Sequence, residues 1–333
     1  MIPASGTGAP GENSMRQGQL VLVTGAAGFI GSHLVDALLA RGARVRAIDD
    51  FSNGKRSNLA HCADRIELLE ADIRDAEACR RACAGAAVVF HQAALGSVPR
   101  SMKDPATTIA INVAGTANVF AAAREGSVRR VVYASSSSVY GDSTRLPKKE
   151  GEEGQPLSPY ALSKAMNEEL AGVFARCDGM ELVGLRYFNV FGPRQDPDGP
   201  YAAVIPRFFR AYLAGEAPVI YGDGTQSRDF TYVSDAVDAN LQAADADATA
   251  AGQVYNVAGG QVISVNELAA AVGDAVGGGQ APRYEAPRAG DVMHSAASLE
   301  LAGKWLGYRP AVGIAEGLAR SLDYYRSLVE AGV

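Results

Sequence analysis

A doubly wound parallel α/β sheet, followed by a less regular C-terminal region, is the fold this sequence predicts. Three observations predict it. Short apolar runs alternate with helical patterns through the first half of the chain. A glycine-rich turn joins the first run to the first helix. After Asn189 the alternation gives way to a turn-rich stretch, Phe191-Gly-Pro-Arg-Gln-Asp-Pro-Asp-Gly-Pro.

Leu20-Val21-Leu22-Val23 is short, apolar and partly β-branched, and reads as a buried strand. It runs into Thr24-Gly25-Ala26-Ala27-Gly28-Phe29-Ile30-Gly31, then an apolar helix to about Ala40. Strand, glycine turn and helix together form a dinucleotide cradle. The glycines let the backbone approach a pyrophosphate, and the helix N-terminus supplies N–H groups and a positive dipole end. The spacing here is Gly-x-x-Gly-x-x-Gly. The second strand, Val45 to Ile48, ends at Asp49, eighteen residues after Gly31. An acid there suits the ribose hydroxyls of NAD and repels the 2′-phosphate of NADP.

Further strands are expected near 66–70, 87–91, 129–135 and 181–187, with helices near 29–41, 75–83, 105–124 and 158–176. In such a sheet ligands sit beyond the carboxyl ends of the strands. Gly25, Asp49, Asp72, Gln92 to Ser97, and Ser136 all fall at those ends. The closing segment, Ile314 to about Leu328, reads as an amphipathic helix.

The helix after Ser136 carries Tyr160-Ala-Leu-Ser-Lys164. Ser158 can cap it, and Pro159 fits its first turn. Tyr160 and Lys164 then lie one turn apart on one face. An ammonium beside a phenol is expected to lower the phenol's pKa and make it a base for an alcohol proton. A nearby serine hydroxyl holds the same alcohol oxygen.

Composition excludes several classes. A chain of 333 residues can bury a large core as one α/β domain or two lobes. Its net charge of −6 offers no footprint for nucleic acid or an anionic membrane. No apolar run approaches the roughly eighteen residues of a membrane helix. Residues 1–18 are rich in Gly, Ser and Pro and lack an apolar core, so they read as a disordered leader and not a signal peptide. Cys62, Cys79, Cys83 and Cys177 show no Cys-x-x-Cys spacing and fit reduced thiols of a cytoplasmic protein. Cys79 and Cys83 share a helix face suited to core packing. The four histidines are scattered, and no metal site is expected.

The motifs TGAAGFIGSHL, AIDDFSNG, EADIRD, HQAALGSVPRS, INVAGT, YASSSSVYGD, PLSPYALSK, LRYFNVFGPRQDP, YAAVIPRF, GDGTQSRDFTYV and RAGDVMHS occur in this order over residues 19–330. In this the chain resembles the extended short-chain dehydrogenases/reductases with a Rossmann-like fold, and among them the NAD-dependent nucleotide-sugar epimerases. Its nearest likeness is to bacterial UDP-N-acetylglucosamine 4-epimerases of surface-polysaccharide biosynthesis. The resemblance implies NAD as a bound cofactor that is regenerated in each turnover. It implies an NAD-binding domain over 19–188 plus about 229–258, and a smaller nucleotide-sugar lobe over about 189–228 plus 259–333. It also implies a homodimer formed through helices such as 105–124 and 158–176.

The resemblance assigns Ser136, Tyr160 and Lys164 to catalysis. It assigns Gly25, Gly28, Phe29, Ile30, Gly31, Asp49, Asn53, Gly54 and Tyr187 to the cofactor. Asp72 and Ile73 would flank adenine, and Gln92, Ala93, Ala94 and Asn112 would line the dinucleotide. Ser97, Ser136, Ser137, Asn189, Ala203, Val204, Arg207, Arg228, Arg288, Asp291 and Ser295 are assigned to the nucleotide sugar. The arginines suit its diphosphate, and Asp291 would orient Arg288. The position four residues after Asp291 walls the sugar pocket in related enzymes. There Tyr restricts them to 2-hydroxyl sugars and a smaller residue admits a 2-acetamido group. Here it is Ser295.

Three readings follow. The first is 4-epimerisation of UDP-N-acetylhexosamines, with UDP-glucose and UDP-galactose as further candidates. The second is another reaction on the same fold. Related 4,6-dehydratases place Asp-Glu after the catalytic Thr, where this chain has Ser137-Ser138, and related decarboxylases place Glu where it has Ser138. UDP-glucuronate 4-epimerases share the serine-rich loop, and Arg207 keeps a carboxylate substrate open. The third is a non-catalytic NAD-binding protein, against which the intact Ser136, Tyr160 and Lys164 argue.

Overall fold

The computed structural model describes residues 15–197, 202–287 and 293–331. Of the expected leader, residues 1–14 lie outside the described residues, as do Arg288 and Asp291.

Seven strands form one sheet in the order Gln253–Val257, Glu181–Tyr187, Arg130–Ser136, Val88–His91, Leu20–Thr24, Arg44–Asp49, Ile66–Glu70. Every pairing is parallel. Leu20 pairs with Arg44 on one side, and Val21 pairs with Val88 on the other. The chain therefore winds in opposite directions from Leu20–Thr24, and a crevice opens between that strand and Val88–His91 at their carboxyl ends.

Side-chain alternation builds a core on each face of the sheet. Val21 and Val23 enter one core with Leu34, Leu38 and Leu241, supplied by helices Phe29–Ala40 and Val233–Asp245. Leu22 enters the other with Ala78, Val119, Phe120 and Leu182, under helices Ala76–Cys83 and Pro105–Glu125. Cys79 and Cys83 are buried there, and all four cysteines are free thiols. A third core gathers Phe191, Phe208, Phe209, Tyr232, Leu268 and Tyr325 among helices Val204–Leu213, Val265–Val276 and Ile314–Glu330.

Local chemistry sets the helix ends. Asp75 caps Ala76–Cys83 by accepting from Glu77 N and Ala78 N. Ser158 caps Pro159–Asp178 through Ala161 N, and Gly179 ends that helix in the left-handed region. Ser264 and Glu267 form a capping box on Val265–Val276.

The Pro105–Glu125 helix corrects one expectation, because by length and composition it is long and apolar enough to cross a membrane. Thr108, Asn112 and Thr116 interrupt its apolar sequence, so no unbroken run is visible. All three are buried against the fold, where the helix packs on Ala76–Cys83 and Pro159–Asp178. Its middle, Ala110–Gly115, is a π-helical turn. A Cβ on Gly115 would lie 2.6 Å from Ile73 Cδ1, so a larger residue there would make the Ile73 side chain shift. On the outer side of Pro159–Asp178, Leu162, Met166 and Val173 are exposed.

Candidate functional site

A cleft of about 540 Å3 opens at the crevice. Gly25, Gly28, Phe29, Ile30 and Gly31 form its floor. Gly25 adopts φ +65°, and a Cβ there would lie 2.7 Å from Ala93 N. A Cβ on Gly31 would lie 2.1 Å from Gly25 O. Both contacts are with backbone, which cannot move aside, so the turn requires glycine. Gly28 caps the following helix without a side-chain bond, and the first turn holds no acid. The positive helix end is thus left for an anion.

Asp49 lies at the rim and is buried. Its Oδ2 accepts from Ala27 N and its Oδ1 from Phe51 N, both at 2.8 Å. Burial pushes its carboxyl pKa up while these two amides pull it down. Asn53, Gly54, Asp72, Ile73, Gln92, Ala93, Ala94, Ser97, Tyr187 and Ala203 also line the cleft. A bond from Arg74 at 2.8 Å holds Asp72 below the usual carboxylate range. Gln92, Tyr187 and Asn240 close a polar triangle: Gln92 Nε2 donates to Asn240 Oδ1 (3.0 Å), Asn240 Nδ2 to Tyr187 Oη (2.7 Å) and Tyr187 Oη to Gln92 Oε1 (3.2 Å). A glycine cradle, an open helix N-terminus and a rim acid fit a dinucleotide with an unphosphorylated ribose.

Tyr160 and Lys164 line the same cleft. Ser136 lies beside Tyr160, where its hydroxyl opposes the rise in the phenol's pKa, and its Oγ accepts from Ser138 N at 3.1 Å. Lys164 is buried and donates to Ala134 O at 2.9 Å. Burial lowers its pKa to about 8. The expected lowering of the Tyr160 pKa is not found, because desolvation pushes it up and outweighs the effect of Ser136.

Asn112 needs a further correction. It is fully buried and does not line the cleft. Its Oδ1 accepts from Leu95 N (2.8 Å), and its Nδ2 donates to Leu95 O (3.2 Å) and Ser163 Oγ (3.0 Å). It sits in the π-helical turn and braces the 92–97 loop through Leu95.

A second, more open groove of about 650 Å3 is lined by Tyr221, Gly222, Asp223, Gln226, Tyr284, Glu285, Pro287 and Met293, and of the remaining sugar-side candidates Arg207 and Arg228 lie beside it. The Arg207 guanidinium lies 5.4 Å from the Tyr221 ring centre. Arg228 donates to Met293 O at 3.3 Å, and Ser295 N donates to Ser227 O at 3.0 Å. Asn189 adopts φ 38° and donates to Asp229 O at 2.8 Å. Val204 opens a helix just beyond Ala203, and Ser137 follows Ser136 in a short helical turn.

Several cleft residues were missed in the sequence. Lys55, Arg100, Arg194 and Asp196 line it. Lys55 pairs with Asp196 at 3.2 Å, and Arg100 donates to Asn53 Oδ1 at 2.8 Å. For two of them the clue was the Pro-Arg-Gln-Asp-Pro string, in which Arg194 pairs with the distant Asp36 and Asp196 with Lys55. Among the described residues one mixed cluster, Asp36, His61 and Cys62, brings potential metal-ligand atoms within 4.8 Å of one another. Asp36 is already paired there with His61 (2.6 Å) and Arg194 (2.8 Å).

A family model described as the NAD dependent epimerase/dehydratase family matches residues 21–258. A UDP-glucose 4-epimerase of Mycolicibacterium smegmatis is 41% identical over 310 residues, 92% of this chain and 98% of that protein. The solved UDP-N-acetylglucosamine 4-epimerase of Methanobrevibacter ruminantium, in complex with UDP-N-acetylmuramic acid, is 39% identical with a TM-score of 0.89. The match covers 94% of this chain and 99% of that one. A UDP-glucuronic acid 4-epimerase of Bacillus cereus, in complex with UDP-glucuronic acid and NAD, is 30% identical with a TM-score of 0.86, covering 93% of this chain and 100% of its own.

Proposed function

The chain belongs to the NAD-dependent epimerase/dehydratase family, and on that premise we propose that it inverts C4 of UDP-N-acetylglucosamine and UDP-N-acetylgalactosamine, with UDP-glucose and UDP-galactose as lesser substrates. The observation that carries this reading is the convergence of Ser136, Tyr160 and Lys164 beside a glycine cradle whose rim acid is Asp49. The sheet domain, 19–188 with about 229–258, holds the dinucleotide. The lobe, about 189–228 with 259–333, holds the UDP-sugar.

NAD, when bound, supplies the acceptor for the C4 hydride and later returns it. Gly25, Gly28 and Gly31 admit the pyrophosphate, and Asp49 receives ribose hydroxyls. Tyr160 Oη takes the O4 proton as C4 becomes a ketone, and Ser136 Oγ–H donates to that oxygen. Lys164, its pKa lowered to about 8, stands one turn from Tyr160, and its charge would oppose the desolvation that raises the phenol's pKa. The 4-keto sugar turns about its diphosphate, and Tyr160 returns the proton to O4 after the opposite face is reduced. Arg207 and Arg228 suit the diphosphate through charge-assisted bonds. Ser137 and Ser138 stand where elimination needs an acid–base pair, which speaks against dehydration.

The preference for acetamido sugars rests on Ser295, a small residue beside the Ser227–Asp229 strand. Arg207 supports a second reading, UDP-glucuronate as substrate. The exposed Leu162, Met166 and Val173 support pairing of Pro159–Asp178 with its counterpart in a dimer.

The test is incubation with UDP-N-acetylglucosamine, UDP-glucose and UDP-glucuronate in turn, with the epimers resolved. The expected outcome is fastest interconversion of the acetamido pair. Turnover of UDP-glucuronate alone would replace this reading with the second. Nucleotide released on denaturation should be NAD, and predominance of NADP would overturn the role given to Asp49.

A further inference from the structure

Three successive strand residues each meet one residue of the Pro159–Asp178 helix, and the three helix residues are spaced four apart. Ser136 lies beside Tyr160, Ala134 O accepts from Lys164 Nζ, and Ser135 Oγ donates to Glu168. Proposals for Tyr160 and Lys164 leave the third member, Glu168, without a role.

Glu168 is a largely buried carboxylate with a built environment. Its Oε1 accepts from Arg186 Nε at 2.9 Å, and its Oε2 from Arg186 Nη2 at 2.7 Å. Arg186 is itself buried, pairs on its other side with Glu153, and lies 4.9 Å from the Tyr140 ring centre. Ser135 and Arg186 are register partners on adjoining strands, as are Ser136 and Tyr187. The Glu168–Arg186 clamp therefore sits one residue behind Ser136 on one strand and Tyr187 on the next.

We propose that Glu168 is a positioning residue for the Ser136–Tyr160–Lys164 set. It ties helix to strand through Ser135 and holds a negative charge one turn from the Lys164 ammonium. The inference rests on the reading that this set acts on a sugar hydroxyl. Burial disfavours the charge on Lys164, and Glu168 opposes that effect. The titratable groups around Lys164 are Glu168 and Tyr160 on its own helix and His91 on the sheet. Those around Glu168 are Arg186 and Tyr133 on the sheet, with Glu153 beyond Arg186.

The sign is set by electrostatics. Replacing a carboxylate by a neutral amide removes negative charge, so every nearby pKa falls. Glu168→Gln should move both limbs of the kcat–pH profile to lower pH, by about one unit, and reduce kcat about 10–100-fold through lost alignment. Ser135→Ala keeps the charge and removes the tie, so it should lower kcat with both limbs unmoved. Glu168→Asp, which restores the charge, should return the limbs towards their original positions.

A second readout needs no substrate. The ultraviolet titration of the Tyr160 phenol, isolated by subtracting the Tyr160→Phe spectrum in the same background, should shift to lower pH in Glu168→Gln. That keeps this inference separate from the choice of substrate. A folded Glu168→Gln protein with unmoved limbs and an unmoved Tyr160 titration would overturn it. If Glu168→Gln fails to fold, Ser135→Ala decides: a reduced kcat upholds the tie, and an unchanged kcat refutes it.

Discussion

In the dinucleotide cleft the glycine turn is pressed against backbone atoms, whereas beside the second groove Arg207 and Arg228 reach in with long side chains. Gly25 and Gly31 meet main-chain atoms of Ala93 and Gly25, and Asp49 is held by two amides. Tyr221 and Tyr284 line the second groove, with Arg207 beside Tyr221 and Arg228 beside Met293. The difference teaches where this fold tolerates change. Backbone contacts inside a parallel sheet cannot relax without moving strands, while side chains at a rim repack locally. The cofactor half should therefore resist substitution, and the sugar half should carry specificity.

The largest effect should come from the boundary between the two halves. Tyr160→Phe keeps the packing and removes the phenol, so kcat for epimerisation should fall by about 10²–10⁴-fold. Bound NAD and the melting temperature should stay near wild type. Turnover at the wild-type rate would remove Tyr160 from the mechanism and leave the two halves without a shared base.

Gly31→Ala probes the cofactor half alone. The new Cβ would lie 2.1 Å from Gly25 O, which forces the helix away from the strand. Destabilisation of about 1–3 kcal/mol and loss of copurifying NAD are expected, read by thermal melting and nucleotide release. Arg207→Ala, on the sugar side, should leave both readouts unchanged. If the two variants behaved alike, the contrast drawn between the halves would fail.

A pH experiment tests how deeply the cofactor half is buried. His91 lies between Thr24 Oγ1 (2.7 Å) and Thr116 Oγ1 (2.9 Å), directly behind the cradle. Burial depresses its pKa to about 3. The unfolded state therefore binds the proton first as pH falls below about 6.5. Stability from this group is complete above that pH and declines towards pH 3, at up to about 1.4 kcal/mol per unit. His91→Gln should flatten this acid limb in denaturant titrations, and an unaltered limb would show that other groups govern it.

The smallest effect should be the most selective. Ser295→Tyr should lower kcat/KM for UDP-N-acetylglucosamine about tenfold, as overfilling a packed pocket costs about 1–3 kcal/mol, and spare UDP-glucose. Equal losses on both sugars would mark Ser295 as an ordinary loop residue.

What the sequence determined by itself was local and periodic. The parallel sheet was legible because buried strands and amphipathic helices write their periods into consecutive residues. The cradle was legible because a left-handed turn and a 2.1 Å clearance leave only glycine at Gly25 and Gly31. The helix holding Tyr160 and Lys164 was legible because Ser158 and Pro159 mark its start. What tertiary structure alone decided were contacts between residues far apart in the chain, and the dielectric they create. It turned Asn112 away from the cleft to brace Leu95, and placed Arg186 and Ser135 on Glu168. It joined Lys55 to Asp196, and brought Arg207 beside Tyr221 and Arg228 beside Met293. It also reversed the expected shift of Tyr160, because desolvation depends on everything packed around a group and no spacing of residues encodes that.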